Sequence, residues 1–518
     1  MFEGHPKGLW ALALANTGER FGYYTMLAVF LFFLQDNFGF SMGTSSSIQA
    51  AFLGIVYFVP LFGGMLADKF GFGKMVTSGI VIMFLGYLLL SLPLGAGAVA
   101  LGVMALALLF ICVGTGLFKG NLQVLVGNLY DDPKYSAKRD EGFSIFYMAI
   151  NLGSMFAAAV ALSIMAWAQE SLGISKGDSY HYAFAVACVS LILSIAIYYA
   201  FRKTFAHADR AKAVAGTTEV VEEELTPAQT KERIICLCLV FAVVIFFWMA
   251  FHQNGITMNQ FAREYTATSE TGFMSLFLSK SLSFTEIRSF WNLLLCVITV
   301  YGVLNIFQSK TAKGKVVASL ITVASVGVLV YKAMNVDGLA PVAVEAPIFQ
   351  QFNPCFVVAL TPIIGIIFGA LAKKGKEPSS PMKIGLGMLV AAMAFVVLMV
   401  ASIGLPPAEE QAAAVAAGTA TLVSPNWLIS TYFVLTIAEL LLSPIGISFV
   451  SKVAPPKYKG MMMGGWFVAT AIGNFLIMVP GLMWGMNLSI IWGVLIGICL
   501  VSAAFIFSIL KRLEAVAK

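Results

Sequence analysis

The stretch that decides the fold is Gly63-Gly64-Met65-Leu66-Ala67-Asp68-Lys69-Phe70-Gly71-Phe72-Gly73-Lys74, a short charged turn. It separates two apolar runs, near 44–67 and 73–95, and each run is long enough as a helix to cross a hydrocarbon core of about 30 Å. The glycines let the two helices approach closely, and Asp68 with Lys69 can form ion pairs or cap a neighbouring helix end. The stretch therefore predicts two membrane helices joined by a tight turn.

Apolar runs of similar length recur along the whole chain. The 518 residues are 59% hydrophobic and only 11% charged, whereas soluble domains carry roughly 25% charged residues. Counting outward from the turn, we predict fourteen transmembrane helices and therefore an all-α membrane protein. The helices are predicted near 10–35, 44–67, 73–95, 98–127, 142–168, 181–203, 233–262, 287–308, 315–335, 347–372, 383–404, 427–452, 460–485 and 488–511.

The distribution of lysine and arginine predicts how these helices lie in the membrane. An even number of spans places both termini on one side, and basic residues favour the cytoplasmic side. Most of the 32 basic residues lie in segments on the same side as the N-terminus. The opposite side holds only Lys176, Arg263, Lys280, Arg288 and Lys332. We therefore expect a multi-pass protein of the bacterial inner (plasma) membrane with both termini cytoplasmic.

The net charge of +6 has the same explanation. The basic residues are spread over separate inner segments, whereas nucleic-acid-binding proteins gather them in one patch or stripe. Membrane lipid, and not nucleic acid, is therefore the expected partner. A membrane enzyme would need convergent nucleophiles or metal ligands, and the four histidines form no such cluster in the sequence. All seven cysteines lie in apolar runs, which favours packing thiols. No catalytic residue, metal site or cofactor is expected.

A polar stretch divides the chain. Residues 204–232 separate six predicted spans (1–203) from eight (233–518). Without the hairpin 287–335 the second part also has six, and six plus six is the layout of major facilitator transporters, whose substrate site lies between the halves. The turn at 63–74 resembles the loop signature of that superfamily. We predict a major facilitator fold of two six-helix bundles with 287–335 as an extra peripheral transmembrane hairpin.

Charged side chains inside the spans are functional candidates, because each costs about 2.5–3.5 kcal/mol at the bilayer centre. They are Glu19, Arg20, Lys119, His252 and Glu439. Glu439 lies in an otherwise uncharged run, so we expect a protonated side chain that acts as a ligand-linked proton carrier. Simpler alternatives stay open. Glu19 and Arg20 can neutralise each other, Lys119 can snorkel to the inner surface, and a neutral His252 can pack by hydrogen bonding.

Seven segments, present together and in order, carry a resemblance to a known family. They are Glu19-Arg20-Phe21-Gly22-Tyr23-Tyr24, Gly114 to Asn121, Phe143-Ser144-Ile145-Phe146-Tyr147-Met148-Ala149-Ile150-Asn151-Leu152-Gly153-Ser154, Phe247-Trp248 with Gln253, Phe352-Asn353-Pro354, Glu439 to Ser443-Pro444-Ile445-Gly446, and Gly460-Met461-Met462-Met463-Gly464 with Trp466. In these segments the chain resembles the proton-coupled oligopeptide transporter family of the major facilitator superfamily.

The resemblance implies a secondary active transporter that imports di- and tripeptides with protons by alternating access. It places eight residues at the peptide cavity: Tyr23, Tyr24, Tyr57, Lys119, Asn151, Asn353, Glu439 and Trp466. Lys119 and Glu439 are expected to hold the carboxylate and amino ends of a peptide. Glu19, Arg20 and His252 are expected to couple transport to protons. Read alone, Asn151 and the aromatic residues fit helix packing equally well. A monomer is expected.

Four departures from the family pattern bear on substrate and coupling. Asn16 replaces an acid, Leu27 replaces a basic residue, and His252 replaces an acid next to Gln253. The extra hairpin follows the seventh core helix, whereas bacterial relatives often carry two extra helices between the sixth and the seventh. Two alternatives therefore stay open: a weakly coupled or uncoupled facilitator of another small zwitterionic substrate, and a sensor that does not transport.

Overall fold

The computed structural model describes residues 4–209, 225–455 and 458–517, and most of them are helical. The first part of the chain forms α1 (Lys7–Phe38), α2 (Met42–Phe58), α3 (Pro60–Phe70), α4 (Phe72–Leu90), α5 (Ala98–Asn128), α6 (Arg139–Leu172) and α7 (Lys176–Ala200). The second part forms α8 (Pro227–Phe251), α9 (Thr257–Glu264), α10 (Trp291–Gln308), α11 (Ala312–Met334), α12 (Phe352–Lys373), α13 (Ser380–Ala401), α14 (Ala408–Ala416), α15 (Asn426–Val453), α16 (Lys459–Leu476), α17 (Met478–Leu482), α18 (Leu488–Ser508) and α19 (Leu510–Ala517).

Thirteen helical stretches in the described part of the chain are long and apolar enough to cross a membrane. Three of them join two helices each, namely α2 with α3, α8 with α9, and α16 with α17. The predicted first span, α1, is not among the thirteen; it is 32 residues long and carries the polar residues Glu19, Arg20 and Asp36. The predicted all-α membrane fold is thus observed, and α1 supplies the remaining long helix.

The turn at 63–74 is shorter than predicted. Helix α3 continues to Phe70, so Gly71 alone connects it to α4. Gly71 has a φ of 94°, a left-handed conformation that glycine adopts without steric cost. The backbone N–H of Gly73 donates to Asp209 Oδ1 at 2.9 Å, so Asp209 caps the start of α4. The side chain of Asp68, the predicted capping residue, lies outside the described part of the structure.

Each part of the chain packs around its own central helices. In the first part α1 contacts α6 and α7, and α4 contacts α5. In the second part α13 contacts α15 and α18, and α8 contacts α16. Contacts between the two parts follow two seams, where α2 meets α16 and α17, and where α6 meets α12. Within the predicted linker 204–232, residues 210–224 lie outside the described residues.

The predicted hairpin region contains α10 and α11, which pack against each other. The Tyr301 hydroxyl of α10 donates to the carbonyl oxygen of Val358 in α12 at 3.1 Å and lies 3.7 Å from the sulfur of Met148 in α6. Further along, the rings of Phe156 and Phe290 have centroids 4.5 Å apart. The hairpin therefore lies at the edge of the protein but contacts both parts of the chain along the α6–α12 seam.

Two small elements beside the spans were not predicted. Strands β1 (Ser269–Glu270) and β2 (Val342–Ala343) pair antiparallel on either side of the hairpin in the sequence. Helix α14 lies between α13 and α15 and contacts α9. Both elements lie on the predicted outer side.

Candidate functional site

Lys119 and Tyr57 form one side of a polar cluster between the two parts of the chain. The Lys119 ammonium, on α5, lies 3.9 Å from the centroid of the Tyr57 ring on α2. A cation over an aromatic face is attracted by the negative face of the ring, and more strongly where water is excluded. The Tyr57 ring in turn lies 6.4 Å from the ring centroid of His252, beside α8. Lys119 is therefore turned toward the second part of the chain.

Glu439, on α15, forms the opposite side of the cluster. It is only 7% exposed, and its Oε2 accepts a hydrogen bond of 2.9 Å from Asn353 Nδ2 on α12. The same amide donates to Thr436 Oγ1 at 3.0 Å, which fixes its orientation. Tyr147, on α6, also hydrogen-bonds the Glu439 carboxylate. The carboxylate is thus bound by residues from both parts of the chain.

Tyr24 and Asn151 lie next to these two groups. Tyr24 is close enough to interact electrostatically with Tyr57 and with Glu439. The Asn151 side chain hydrogen-bonds Tyr147 and also donates to the Tyr147 carbonyl oxygen at 3.2 Å. Asn151 therefore acts on the Glu439 carboxylate through Tyr147.

Glu19 and Arg20 neutralise each other within α1. Arg20 Nε donates to Glu19 Oε2 and Arg20 Nη2 donates to Glu19 Oε1, and both side chains are almost fully buried. The guanidinium also lies 4.7 Å from the centroid of the Tyr23 ring. Nearby, Asn16 Nδ2 and the Tyr23 hydroxyl are buried without a hydrogen-bond partner in the part of the chain that the structure describes. Asn16 is an amide, so no second carboxylate stands beside the Glu19–Arg20 pair at this position of the family pattern.

His252 lies where α8 ends in a 3-10 turn, His252–Gly255. Its Nδ1 donates to Asn474 Oδ1 of α16 at 2.5 Å, and its ring stacks on Trp248 at 4.9 Å. Since Asn474 holds Nδ1, the other ring nitrogen is left for a proton or a ligand.

Two further residues expected at the cavity are almost fully buried beside this cluster. Tyr23 is 2% exposed, packs on Phe52 and makes an edge-to-face contact with Tyr24, with 5.2 Å between the ring centroids. Trp466 is 3% exposed, and a Cβ added to Gly446 would lie 2.3 Å from its ring. Gly446 lies seven residues after Glu439, about two helical turns along α15. Trp466 therefore packs about two helical turns from Glu439, toward the C-terminal end of α15.

Tyr147 and Asn474 were not predicted as site residues. Tyr147 lies four residues before Asn151 and so on the same helix face, and this spacing is the signal that could have identified it. Asn474 is a polar residue inside an apolar run, a pattern that indicates a hydrogen bond between membrane helices. In the described residues no group of three or more His, Cys, Asp or Glu side chains could hold a metal ion.

A protein-family model matches most of the chain. The model of the POT family, PTR2, matches residues 73–222 and 320–483, more than half of the chain. The chain belongs to the POT family. The family match confirms the resemblance seen in the sequence. As a member of this family, the chain is a multi-pass membrane transporter.

Individual relatives support the same assignment. The chain is 29% identical to the peptide transporter YePEPT of Yersinia enterocolitica over 495 residues, which covers 91% of this chain and 87% of the relative. It is 26% identical to the di-/tripeptide transporter of Lactococcus lactis strain IL1403, with 90% and 87% covered. A crystal structure of the peptide transporter POT in complex with sulfate superposes with a TM-score of 0.71 at 23% identity, covering 100% of this chain and 96% of that one. The predicted major facilitator fold is therefore confirmed.

Proposed function

We propose that this POT protein is a secondary active transporter that imports di- and tripeptides together with protons. The observation that carries the proposal is a basic and an acidic side chain on opposite parts of the chain, and the proton expected on Glu439 leaves when the amino group of a peptide binds. Lys119, over Tyr57, and Glu439, bound by Asn353 and Tyr147, border the same polar cluster. A short peptide is a zwitterion, so its carboxylate end fits Lys119 and its amino end fits Glu439.

This arrangement links binding to movement of the two halves. We take 1–203 and 233–518 as the moving bundles, joined by 204–232, with 287–335 as a peripheral hairpin. A peptide bound by α5 at one end and α15 at the other stabilises the state in which these helices are close. Movement of one bundle against the other then gives access from alternating sides.

Contacts at the predicted outer side support a state closed to the outside. Arg263, at the end of α9, binds Asp36 at the outer end of α1 and donates to Gln35 Oε1 at 3.1 Å. Gln35 Nε2 donates to Gln260 Oε1 at 3.0 Å. With both termini in the cytoplasm of a bacterial cell, this closure leaves the inner side as the exit. We propose a monomer surrounded by lipid.

Proton coupling is assigned to His252 and to the Glu19–Arg20 pair. A proton on His252 adds positive charge beside Lys119, which favours binding of a peptide carboxylate. A proton on Glu19 would release the Arg20 guanidinium from its present acceptor. Both events strengthen carboxylate binding when protons enter from outside.

A weakly coupled facilitator of another small zwitterion is the second candidate. The observation behind it is that Asn16 and Leu27 supply neither the acid nor the base that the family pattern carries. A non-transporting sensor is the third. Uptake of labelled dialanine into proteoliposomes, with and without an inward proton gradient, tests all three. Accumulation that depends on the gradient supports the proposal. Uptake without gradient dependence supports the facilitator, and binding without uptake supports the sensor.

A further inference from the structure

The hairpin formed by α10 and α11 encloses a groove of about 650 Å³ near its turn. The walls are apolar and come from both helices: Val297 and Ile298 on α10, Val317 and Ile321 on α11. Tyr301 lies in the groove and joins the hairpin to the rest of the protein through the Val358 carbonyl. The groove is separate from the cluster around Lys119 and Glu439.

The surroundings of the groove are lipid. Both helices can cross a membrane, yet only 22% of α10 and 17% of the most apolar stretch of α11 are buried inside the protein. Side chains such as Phe307, Leu320 and Val323 are among the exposed apolar residues of this hairpin. Since apolar helix surface of this extent faces acyl chains, an occupant of the groove comes from the bilayer.

The mouth of the groove is polar and positively charged. Ser309, Thr311 and Lys313 line it at the hairpin turn. Lys310 and Lys315 flank it, all three lysines are exposed, and in the described residues no ion pair involves them. Residues 291–336 contain no Asp or Glu. The Thr311 hydroxyl accepts from Gly314 N at 3.1 Å, which leaves its hydrogen to donate to a ligand.

We infer that this groove binds one anionic phospholipid, with an acyl chain between α10 and α11 and the headgroup phosphate at the lysine mouth. Apolar walls that end in a cluster of uncompensated lysines match a molecule with a long apolar chain and a negative end. Each lysine near an anionic membrane surface raises affinity about fivefold. The inference does not depend on the transported substrate.

Native mass spectrometry of the purified transporter with phosphatidylglycerol or phosphatidylcholine tests the charge at the mouth. The test variant is Lys310→Gln/Lys313→Gln/Lys315→Gln. Its matched control, Lys373→Gln/Lys374→Gln/Lys376→Gln, removes three exposed lysines from the end of α12 that do not line the groove. We expect the test variant to lose about tenfold or more in phosphatidylglycerol binding and the control to keep it. Equal losses in both variants would mean that lipid binds by general surface charge and would overturn the inference.

A second pair of variants tests the apolar walls with every lysine in place. Val317→Trp fills the groove, whereas Val316→Trp places the same side chain on the neighbouring exposed position that does not line it. We expect only Val317→Trp to release phosphatidylglycerol, and phosphatidylcholine to bind weakly to all variants. Unchanged phosphatidylglycerol binding in Val317→Trp, or equal retention of the two lipids by the unmodified chain, would rule out an anionic lipid in this groove.

Discussion

The ammonium of Lys119 lies over the ring of Tyr57, with 3.9 Å between Nζ and the ring centroid. The two residues come from α5 and α2, so the aromatic ring positions the only lysine in the polar cluster that the structure describes between the halves. A desolvated cation–π pair contributes on the order of 2 kcal/mol, which corresponds to about thirtyfold in binding. The Tyr57 side chain also hydrogen-bonds Lys119, and we expect the ring contact to contribute the larger share of the effect of Tyr57.

Substitution of Tyr57 separates ring from hydroxyl. We expect Tyr57→Phe to keep most peptide uptake, because the aromatic face under Lys119 remains. Tyr57→Leu removes that face and should lower uptake about tenfold or more. Initial rates of labelled dipeptide uptake in proteoliposomes measure both. Equal losses in the two variants would show that the hydroxyl, not the ring, is required.

Glu439→Gln removes the ionisable carboxyl group from the second half of the site. Asn353 then loses its carboxyl acceptor, and the peptide amino group loses the carboxylate that it is proposed to bind. Since hydrogen bonds to charged groups contribute about 1.5–3 kcal/mol, peptide uptake should fall about tenfold or more while membrane expression persists. Glu409→Gln, the same change on exposed α14, serves as the control. Uptake at the unmodified rate in Glu439→Gln would contradict the proposed mechanism.

Replacement of His252 by Gln tests proton coupling. Gln can still donate to Asn474 but cannot take up a proton, whereas the histidine ring can. We expect His252→Gln to retain gradient-free exchange of peptide and to lose most of the stimulation by an inward proton gradient. His207→Gln alters an exposed histidine and controls for general effects. If an inward proton gradient still stimulates uptake fully in His252→Gln, the coupling is carried by Glu19 and Arg20 and not by His252.

The outer contact between Asp36 and Arg263 predicts a conformational effect. Asp36 also binds Lys176 at 3.0 Å and accepts from the Tyr180 hydroxyl at 2.7 Å, so Asp36→Asn weakens several contacts at once. We expect the variant to populate the outward-open state more, read out as a longer distance between spin labels on the outer ends of α1 and α9. Asp337→Asn, an exposed outer carboxylate, is the control. No change in the distance distribution would show that other contacts hold the outer side closed.

The fold was largely predictable from the sequence, because each membrane span must be apolar along its own length. A span can therefore be recognised from one continuous segment without knowledge of its contacts. Runs of apolar residues therefore located the spans and the hairpin, although most boundaries moved by a few residues. The interruption before Pro60 and the 3-10 turn at His252–Gly255 were not predicted, although the proline and the polar sequence His252-Gln253-Asn254-Gly255 are the residues that break the helix there.

The site was harder to predict because its contacts join distant parts of the chain. His252 and Asn474 are 222 residues apart, and no local pattern pairs them. Tyr147 has both an apolar ring and a hydroxyl, so its sequence context fitted packing and binding equally. Charge inside a span was the reliable signal: it selected Lys119 and Glu439, which the structure places at the same cluster.

Leu27 occupies a position where the family pattern has a basic residue. Leu27 follows Arg20 by seven residues, which places both on nearly the same face of α1, and it is half-buried against the core. An apolar side chain cannot bind a carboxylate, so the peptide C-terminus depends on Lys119 and Arg20, and Arg20 is engaged by Glu19. We expect modest dipeptide affinity, and a smaller loss of affinity on amidation of the C-terminus in the unmodified chain than in Leu27→Arg, because one basic residue fewer binds the carboxylate. Because a charge-assisted hydrogen bond contributes about 1.5–3 kcal/mol, Leu27→Arg should raise affinity for free dipeptides about tenfold or more and leave amidated ones unchanged.

Competition binding with free and amidated dipeptides, in the unmodified chain and in Leu27→Arg, measures both effects. Tight binding by the unmodified chain that collapses on amidation would show that a full carboxylate site exists without a basic residue at this position.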